Sequence, residues 1–567
     1  MTKNSRRTSS RVLAAGTALL SLSCLSAASQ AQDFHRDRDH DRQFSDRQFW
    51  PGNLVVSRTV YDNNPNNVKV GTVLPPNCAP ATDACGAATG APYNGTYPLV
   101  WNNDIYDASF GITAKIYLDQ ITPYGFLINS LEVPNNAQRG INSKSDQLVT
   151  SFSSKSEIAL NLSTDRRYLT FMGYVSPIDA IDVSNSNTPA AVDATNPVGE
   201  NNYRAVASVD AFGRFHFTET NAYSGNNGRA AVLYDTEGEN FFYTSGNAGN
   251  GANPQPAGVV LGAGTQIIDP SKEPEAEQNP GTPTPVGSFS VTLLGAKADK
   301  VGKDDNYRGL TIFNNVLYYT KGSGSNGVNT VYFLDTTGTA CPKGVGLPSA
   351  SATLPASPLT YDPSTVVTTG LPSNICILSG FPSMPNKSLT TITAFPFGIW
   401  FADANTFYVA DEGDGYTAGA DLYTHAAEQT TAGLQKWVFN GTTWTLAYTL
   451  QGGLGLGSPY QIHGYPTGNN PGTNLPWAPA TDGLRNITGR VNHDGTVTIW
   501  AITSTVSGNG DTGADPNRLV AITDQLKNTT ATKAAGEKFV TVRQAGFAEA
   551  LRGVAFTPDA ETSEHHW

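Results

Sequence analysis

Short apolar runs rich in Val, Ile, Thr, Phe and Tyr recur along the chain, each bounded by Gly, Asn or Asp. Two runs flank a tight turn, and a looser loop then leads to the next pair. Alternating, half-apolar runs with turn residues between them are the signature of β-hairpins. One set of hairpins falls at 157–175, 229–247, 308–322, 397–413 and 485–504. A second set falls at 203–219, 259–295, 330–395, 434–450 and 518–546. A first hairpin plus a second makes a four-stranded antiparallel unit, the blade of a β-propeller.

The chain ends complete the count. LRGVAFTP (551–558) matches the opening strand of a blade, as in YRGLTIF, and then the chain runs out. NLVVSRTVY (53–61) reads as the missing second strand, and 114–133 as the missing second hairpin. The prediction is an all-β, six-bladed β-propeller closed by one blade shared between the N- and C-terminal segments, which leaves no free sheet edge. A seventh blade is the alternative if 451–483 or 345–392 holds a degenerate unit.

The run NTFYVADEGDG followed by GLQKWVF resembles the second and third strands of blades in a broad group of six-bladed propellers. That group includes gluconolactonase-like and β-propeller phytase-like proteins. The resemblance covers one blade and implies a fold; a shared fold does not carry a reaction.

If strands run A to D outward, the A–B and C–D turns share one face and the B–C and D–A loops share the other. The A–B turns are tight: Ser163–Arg167, Asp235–Asn240, Asn314–Asn315, Ala402–Thr406 and Asn492–Thr496. The long connections 176–202, 220–228, 410–433, 451–484 and 503–517 belong to the opposite face, with the insertion 62–113 and the Pro-rich stretch 342–390 assigned there as well. Long loops on one side of a rigid scaffold are where binding sites are built.

Strand A starts on that loop-rich face, around the central channel. Four blades open it with arginine, Arg229, Arg308, Arg485 and Arg552, and the others offer Glu157 and Phe397. Guanidinium groups grip carboxylate, sulfate or phosphate in a bidentate fork, so these arginines, with Glu157, are candidate substrate-binding residues. Backbone struts between blades are the competing reading. Asp411 and Asp414 in VADEGDGY, and Asp511 and Asp515 in GNGDTGADPN, cluster hard oxygen ligands of the kind that suits Ca²⁺. Asp and Asn closing local turns explain the same pattern. His463, in a D–A loop, is the candidate general acid or base; His216 and His425 rank below it. There is no nucleophile elbow and no nucleotide-binding glycine motif in its βαβ setting, so no nucleotide cofactor is expected.

Charge and cysteines locate the protein. Residues 1–31 combine Lys3, Arg6, Arg7 and Arg11 with a short apolar run and a small-residue cleavage site, the pattern of a signal peptide. Its removal takes the net charge from −12 to −16, which argues against nucleic acid or an anionic membrane as partner. No later stretch is apolar enough for a transmembrane segment. The expected layout is a charged, disordered lead-in over 32–50, the propeller over 51–558 and a flexible tail over 559–567. Cys78 with Cys85, and Cys341 with Cys376, each lie inside one loop and are paired as disulfides in an exported chain. Two readings of function follow. One is a secreted or periplasmic hydrolase or lyase acting on an anionic sugar, phosphate or lactone-type substrate, with a small anion or polysaccharide as ligand. The other is a non-catalytic extracellular binding module using the same face.

Overall fold

The computed structural model describes residues 47–62, 111–141, 146–152, 158–180, 183, 202–220, 223, 227–236, 239–247, 264–270, 306–324, 326–355, 375–510 and 512–560. Their strands form six sheets, the blades of a β-propeller. Blade I takes strand A (Glu549–Phe556) from the C-terminal end of the chain and strands B (Leu54–Val60), C (Thr113–Ile121) and D (Leu127–Glu132) from the N-terminal part. Leu54 lies opposite Phe556 and Val60 opposite Glu549, so the shared blade pairs along its whole length. Blade II is built from Asn161–Leu162, Tyr168–Tyr174, Arg204–Asp210 and Phe215–Thr220. Blade III contributes Gly228–Thr236, Glu239–Gly246 and Thr265–Ile268; the stretch expected to supply its outermost strand lies outside the described residues. Blade IV holds Leu310–Phe313, Val316–Lys321, Thr330–Leu334 and Ile375–Leu378, with Val345–Gly346 added at its edge. Blade V is Pro396–Asp403, Thr406–Asp411, Gly433–Phe439 and Trp444–Leu450. Blade VI is Ala480–Val491, Thr496–Val506, Arg518–Gln525 and Val540–Gln544. Residues 451–479 form loop with isolated bridges, and no seventh sheet occurs among the described residues.

Each blade is apolar on both faces because it is sandwiched between neighbours. Val55, Leu160, Phe171 and Val209 pack in one cluster between blades I and II, and Tyr408, Leu434, Ile499 and Ile522 in another between V and VI. Burial of this surface at about 25 cal/mol per Å² is the main stabilising term. Polar bonds set the spacing. Ser57 donates to the Ile158 carbonyl (2.6 Å), Thr170 to Ala231 (2.6 Å) and Thr320 to Phe397 (2.5 Å), each from strand B to the innermost strand of the next blade. The glycine shared by YRGL, PFGI and LRGV lets those innermost strands approach. A Cβ on Gly309 would lie 1.9 Å from the Phe397 carbonyl oxygen, and one on Gly553 would lie 2.5 Å from the Leu160 nitrogen.

The tight A–B turns follow the expected chemistry. Between Phe313 and Val316 the two-residue turn Asn314–Asn315 has φ of +48° and +58°, the backbone twist that favours Asn in hairpins.

One connection differs from its expected place. Strand C of blade IV pairs with Ile375–Leu378 and not with 388–395, so residues 335–374 are its C–D connection. The described residues Leu347 to Ala350 of the Pro-rich stretch therefore lie on the tight-turn face, beside Asn314 and Ala404. Strand pairing over a long sequence separation is not readable from local patterning. Cys341 and Cys376 are disulfide-bonded, with Cα atoms 5.8 Å apart, and tie this loop to strand D. Asp335 stands beside them, but bonded sulfurs offer no thiolate to a metal. Cys78 and Cys85 lie outside the described residues, as do the signal-peptide segment and most of the lead-in and tail. Among the described residues no helix is long and apolar enough to cross a membrane.

Candidate functional site

A cavity of about 210 Å³ opens on the loop-rich face at the inner ends of blades IV, V and VI. Its walls come from strand-A starts (Arg308, Asp482, Arg485), from residues just past strand B (Ser323, Glu412 to Gly415) and from Thr505 near the end of strand B of blade VI. Three successive strand-A openings, Arg308, Phe397 and Arg485, form a layer in which each guanidinium carbon sits 5.9 Å from the centre of the Phe397 ring. Glu412 lies between the two arginines. Its carboxylate is 3.1 Å from Arg485 Nε and 3.9 Å from Arg308 Nε. Arg308 Nε also donates to Ser323 Oγ at 3.1 Å. The terminal Nη groups of both arginines make no hydrogen bond among the described residues, so each keeps a two-nitrogen edge for a ligand.

Two further carboxyls are buried against this layer. Asp411 accepts from the backbone N–H of Phe395 (2.8 Å) and Gly413 (3.0 Å) and from the Gln435 amide (3.3 Å). Burial pushes its pKa up to about 8 against those hydrogen bonds. Asp482 accepts from Gly415 N–H at 2.9 Å and Gln429 Nε2 at 2.5 Å, and burial raises it to about 7, helped by the nearby charges of Asp414 and Glu412. Gly413 makes the close approach: its φ is +78°, and a Cβ there would stand 2.3 Å from Asp482 Oδ2.

Asp414 stands at the cavity wall. Its Oδ2 is 2.6 Å from His425 Nε2, and its Oδ1 accepts from Tyr416 N–H at 3.1 Å. His425 lies on the short helix α1 (Leu422–Glu428), where a loop was expected, and stacks on Tyr416 with ring centres 4.1 Å apart. The hydrogen bond to Asp414 raises the His425 pKa above its ordinary value, against a small loss from burial.

The structure thus brings together Arg308, Arg485 and Asp414 at the cavity, with Asp411 buried beside it. It does not bring the other expected residues there. Arg229 bonds Asn306 Oδ1 at 3.0 Å, and Arg552 bonds the Phe152 carbonyl. His463 is exposed and is not among the residues lining the cavity; His425 takes the place beside the acids. His216 is a strand residue of blade II, as its FHFTE context implied. Glu157 and Asp511 lie outside the described residues. Asp482 escaped notice in the sequence because ATDGLRN reads as an ordinary strand start; its acid three residues before the strand-A arginine was the available signal.

The donor sets decide how well a cation fits. Both oxygens of Asp411 and both of Asp414 are hydrogen-bonded to protein groups. Asp515 is buried elsewhere, accepting from Tyr465 at 2.7 Å and Asn509 at 3.2 Å. Among the described residues Asp411, Asp414 and Asp515 form no ligand trio.

No protein-family model matches the chain, and no curated protein matches it in sequence. Solved structures align over most of the chain at low similarity. An α-L-arabinanase of Penicillium chrysogenum complexed with arabinobiose aligns over 84% of this chain and 100% of its own, at 12% identity and a TM-score of 0.32. A PL25 ulvan lyase bound to a GlcA–Rha3S fragment aligns over 78% and 91%, at 9% identity and a TM-score of 0.27. A GH43 β-xylosidase/α-arabinofuranosidase from a compost metagenome, with xylotriose, aligns over 72% and 94%, at 7% identity and a TM-score of 0.25. Superpositions this loose bear on no residue and no reaction of the present chain.

Proposed function

We propose that this protein is an exported hydrolase or lyase acting on a sugar that carries an anionic group, and that the cavity between blades IV, V and VI is its active site. One observation carries the reading: two arginines with unengaged Nη edges line the same small cavity as a buried, proton-holding carboxyl and a second carboxylate paired with histidine. The volume suits one sugar unit, lying below the roughly 300–1,000 Å³ of sites for larger ligands.

Arg308 and Arg485 would hold the anionic group through bidentate hydrogen bonds. Asp482, whose pKa burial raises to about 7, would supply a proton to a leaving oxygen. Asp414, oriented by His425 and Tyr416 N–H, would accept one from the attacking water or from carbon. A proton donor and a proton acceptor facing one substrate are what general acid–base catalysis requires. No step is assigned to a metal. The gluconolactonase-like and phytase-like resemblance fits this class of ligand without specifying it.

The non-catalytic reading has one observation in its favour: Glu412 already neutralises both arginines from within the protein. Turnover decides between the two. Uronate-containing oligosaccharides, sugar phosphates and aldonolactones are assayed for reducing ends and for unsaturated product, which separates hydrolysis from elimination. Asp414→Asn and Asp482→Asn should each lower kcat by at least about 10²-fold while ligand still raises the melting temperature. Full turnover in both variants would remove the assignment; binding of an anionic sugar without any turnover by the native protein would favour the binding module.

A further inference from the structure

The propeller has a second, larger cleft on the opposite face. Where blades VI and I diverge below their shared core, an opening of about 760 Å³ is lined by the turn 123–124 of blade I and by strands B, C and D of blade VI. Its inner wall is Trp500, whose indole nitrogen donates to the Pro123 carbonyl at 3.0 Å. That bond anchors the turn, which also closes on itself through Gly125 N–H to Thr122 O and Thr122 N–H to Phe126 O, both 2.9 Å. On this fixed turn Tyr124 is 85% exposed, and Phe126 beside it is 73% exposed. The backbone of this turn is fixed, and of its two exposed rings Tyr124 lines the cleft.

The corresponding gap between blades IV and V shows the contrast. It is smaller, about 370 Å³, and is walled by rings: Phe313 stacks on Phe401 at 4.3 Å, and Trp444 meets Phe407 edge-on at 4.4 Å. The gap between VI and I mixes apolar side chains (Trp500, Ile522, Val540, Val542) with hydroxyls and charges of both signs. Thr498 and Thr523 face each other at 3.2 Å across strands B and C, and Thr541 follows on strand D. Arg490 and Lys538 are matched by Asp494 and Glu537.

We infer that this cleft binds a neutral oligosaccharide, with Tyr124 as the platform for a sugar ring and the threonine and charged side chains as partners for its hydroxyls. Aromatic faces accept the apolar C–H face of a pyranose, while mixed donors and acceptors with no net charge select a neutral, polyhydroxylated ligand over an ion. The core of a protein interface is depleted of charge, and this wall carries both signs. The site is separate from the loop-face cavity and does not rest on the reaction assigned there.

The test is calorimetric titration of the full chain with neutral β-glucan, xylan and arabinan oligosaccharides. Native protein, Tyr124→Ala, Thr523→Val and Asp414→Asn are compared, and melting temperatures verify folding; Tyr124 and Thr523 are exposed, so both variants should fold. The inference expects saturable binding by at least one series, weakened about three- to tenfold by Tyr124→Ala, in line with single aromatic contacts. Thr523→Val should weaken it to a lesser extent, and Asp414→Asn should leave it unchanged. It is overturned if no neutral oligosaccharide binds, or if binding survives Tyr124→Ala intact. Loss in Asp414→Asn alone would move the binding to the loop face. Self-association abolished by Tyr124→Ala without sugar binding would make the patch a protein contact.

Discussion

Arg485 Nε lies 3.1 Å from Glu412 Oε2, although 73 residues separate them in the chain. The contact joins the end of strand B in blade V to the start of strand A in blade VI, and Arg308 of blade IV completes it from the other side. Three blades therefore meet at one carboxylate.

Removing that carboxylate leaves two guanidinium groups facing each other with little water. Glu412→Gln should cost about 1–3 kcal/mol, between the value of an exposed pair and that of a fully buried one. Urea unfolding at neutral pH measures it. Binding of an anionic ligand should tighten in the same variant, because the ligand no longer competes with Glu412 for the arginines. A destabilised protein with unchanged anion affinity would mean that the arginines serve the fold alone.

The buried acids make stability depend on pH in a fixed direction. Asp411 and Asp482 hold their protons up to about 8 and about 7 in the native state, whereas in the unfolded chain they lose them near 4. The native state thus binds more protons across that window, and stability falls as pH rises through it. Raised pKa values at Asp515, to about 6, and at His425 act in the same sense. The melting temperature should fall between pH 5 and pH 8.5 and level off above it. Asp482→Asn should flatten part of that fall, and an unchanged slope in the variant would exclude Asp482 as its source.

Ring closure depends on a missing side chain. Gly553→Ala puts a methyl carbon 2.5 Å from the Leu160 nitrogen and 2.6 Å from the Ile158 oxygen, both backbone atoms that cannot swing aside. Overpacking of this kind costs about 1–3 kcal/mol. Thermal unfolding should show the loss, whereas Gly495→Ala, in an open turn with nothing near its Cβ, should lose only what its φ of +79° imposes. Equal losses at the two positions would mean that the close approach of blades I and II is not what Gly553 serves.

Much of this architecture was legible from one dimension. The alternation of apolar and polar residues encodes strands because side chains on a strand point to opposite faces, and RG repeated in YRGL and LRGV exposed the shared blade, since the terminal fragment supplied only the strand that the N-terminal part lacked. The tight turns at 314–315 and 492–496 placed the strand-A arginines and the acids of VADEGDG on one face. All of these are local or periodic signals. That Arg308 and Arg485 rather than Arg229 and Arg552 line one cavity, with Asp482 in its wall and His425 rather than His463 beside Asp414, was decided only when blades IV, V and VI came together. The same holds for the pairing of strand C with Ile375–Leu378 across a long Pro-rich loop. Burial and charge proximity are properties of neighbours distant in sequence, and they determine which of several chemically equivalent residues keeps a free hydrogen-bonding edge or an altered proton affinity.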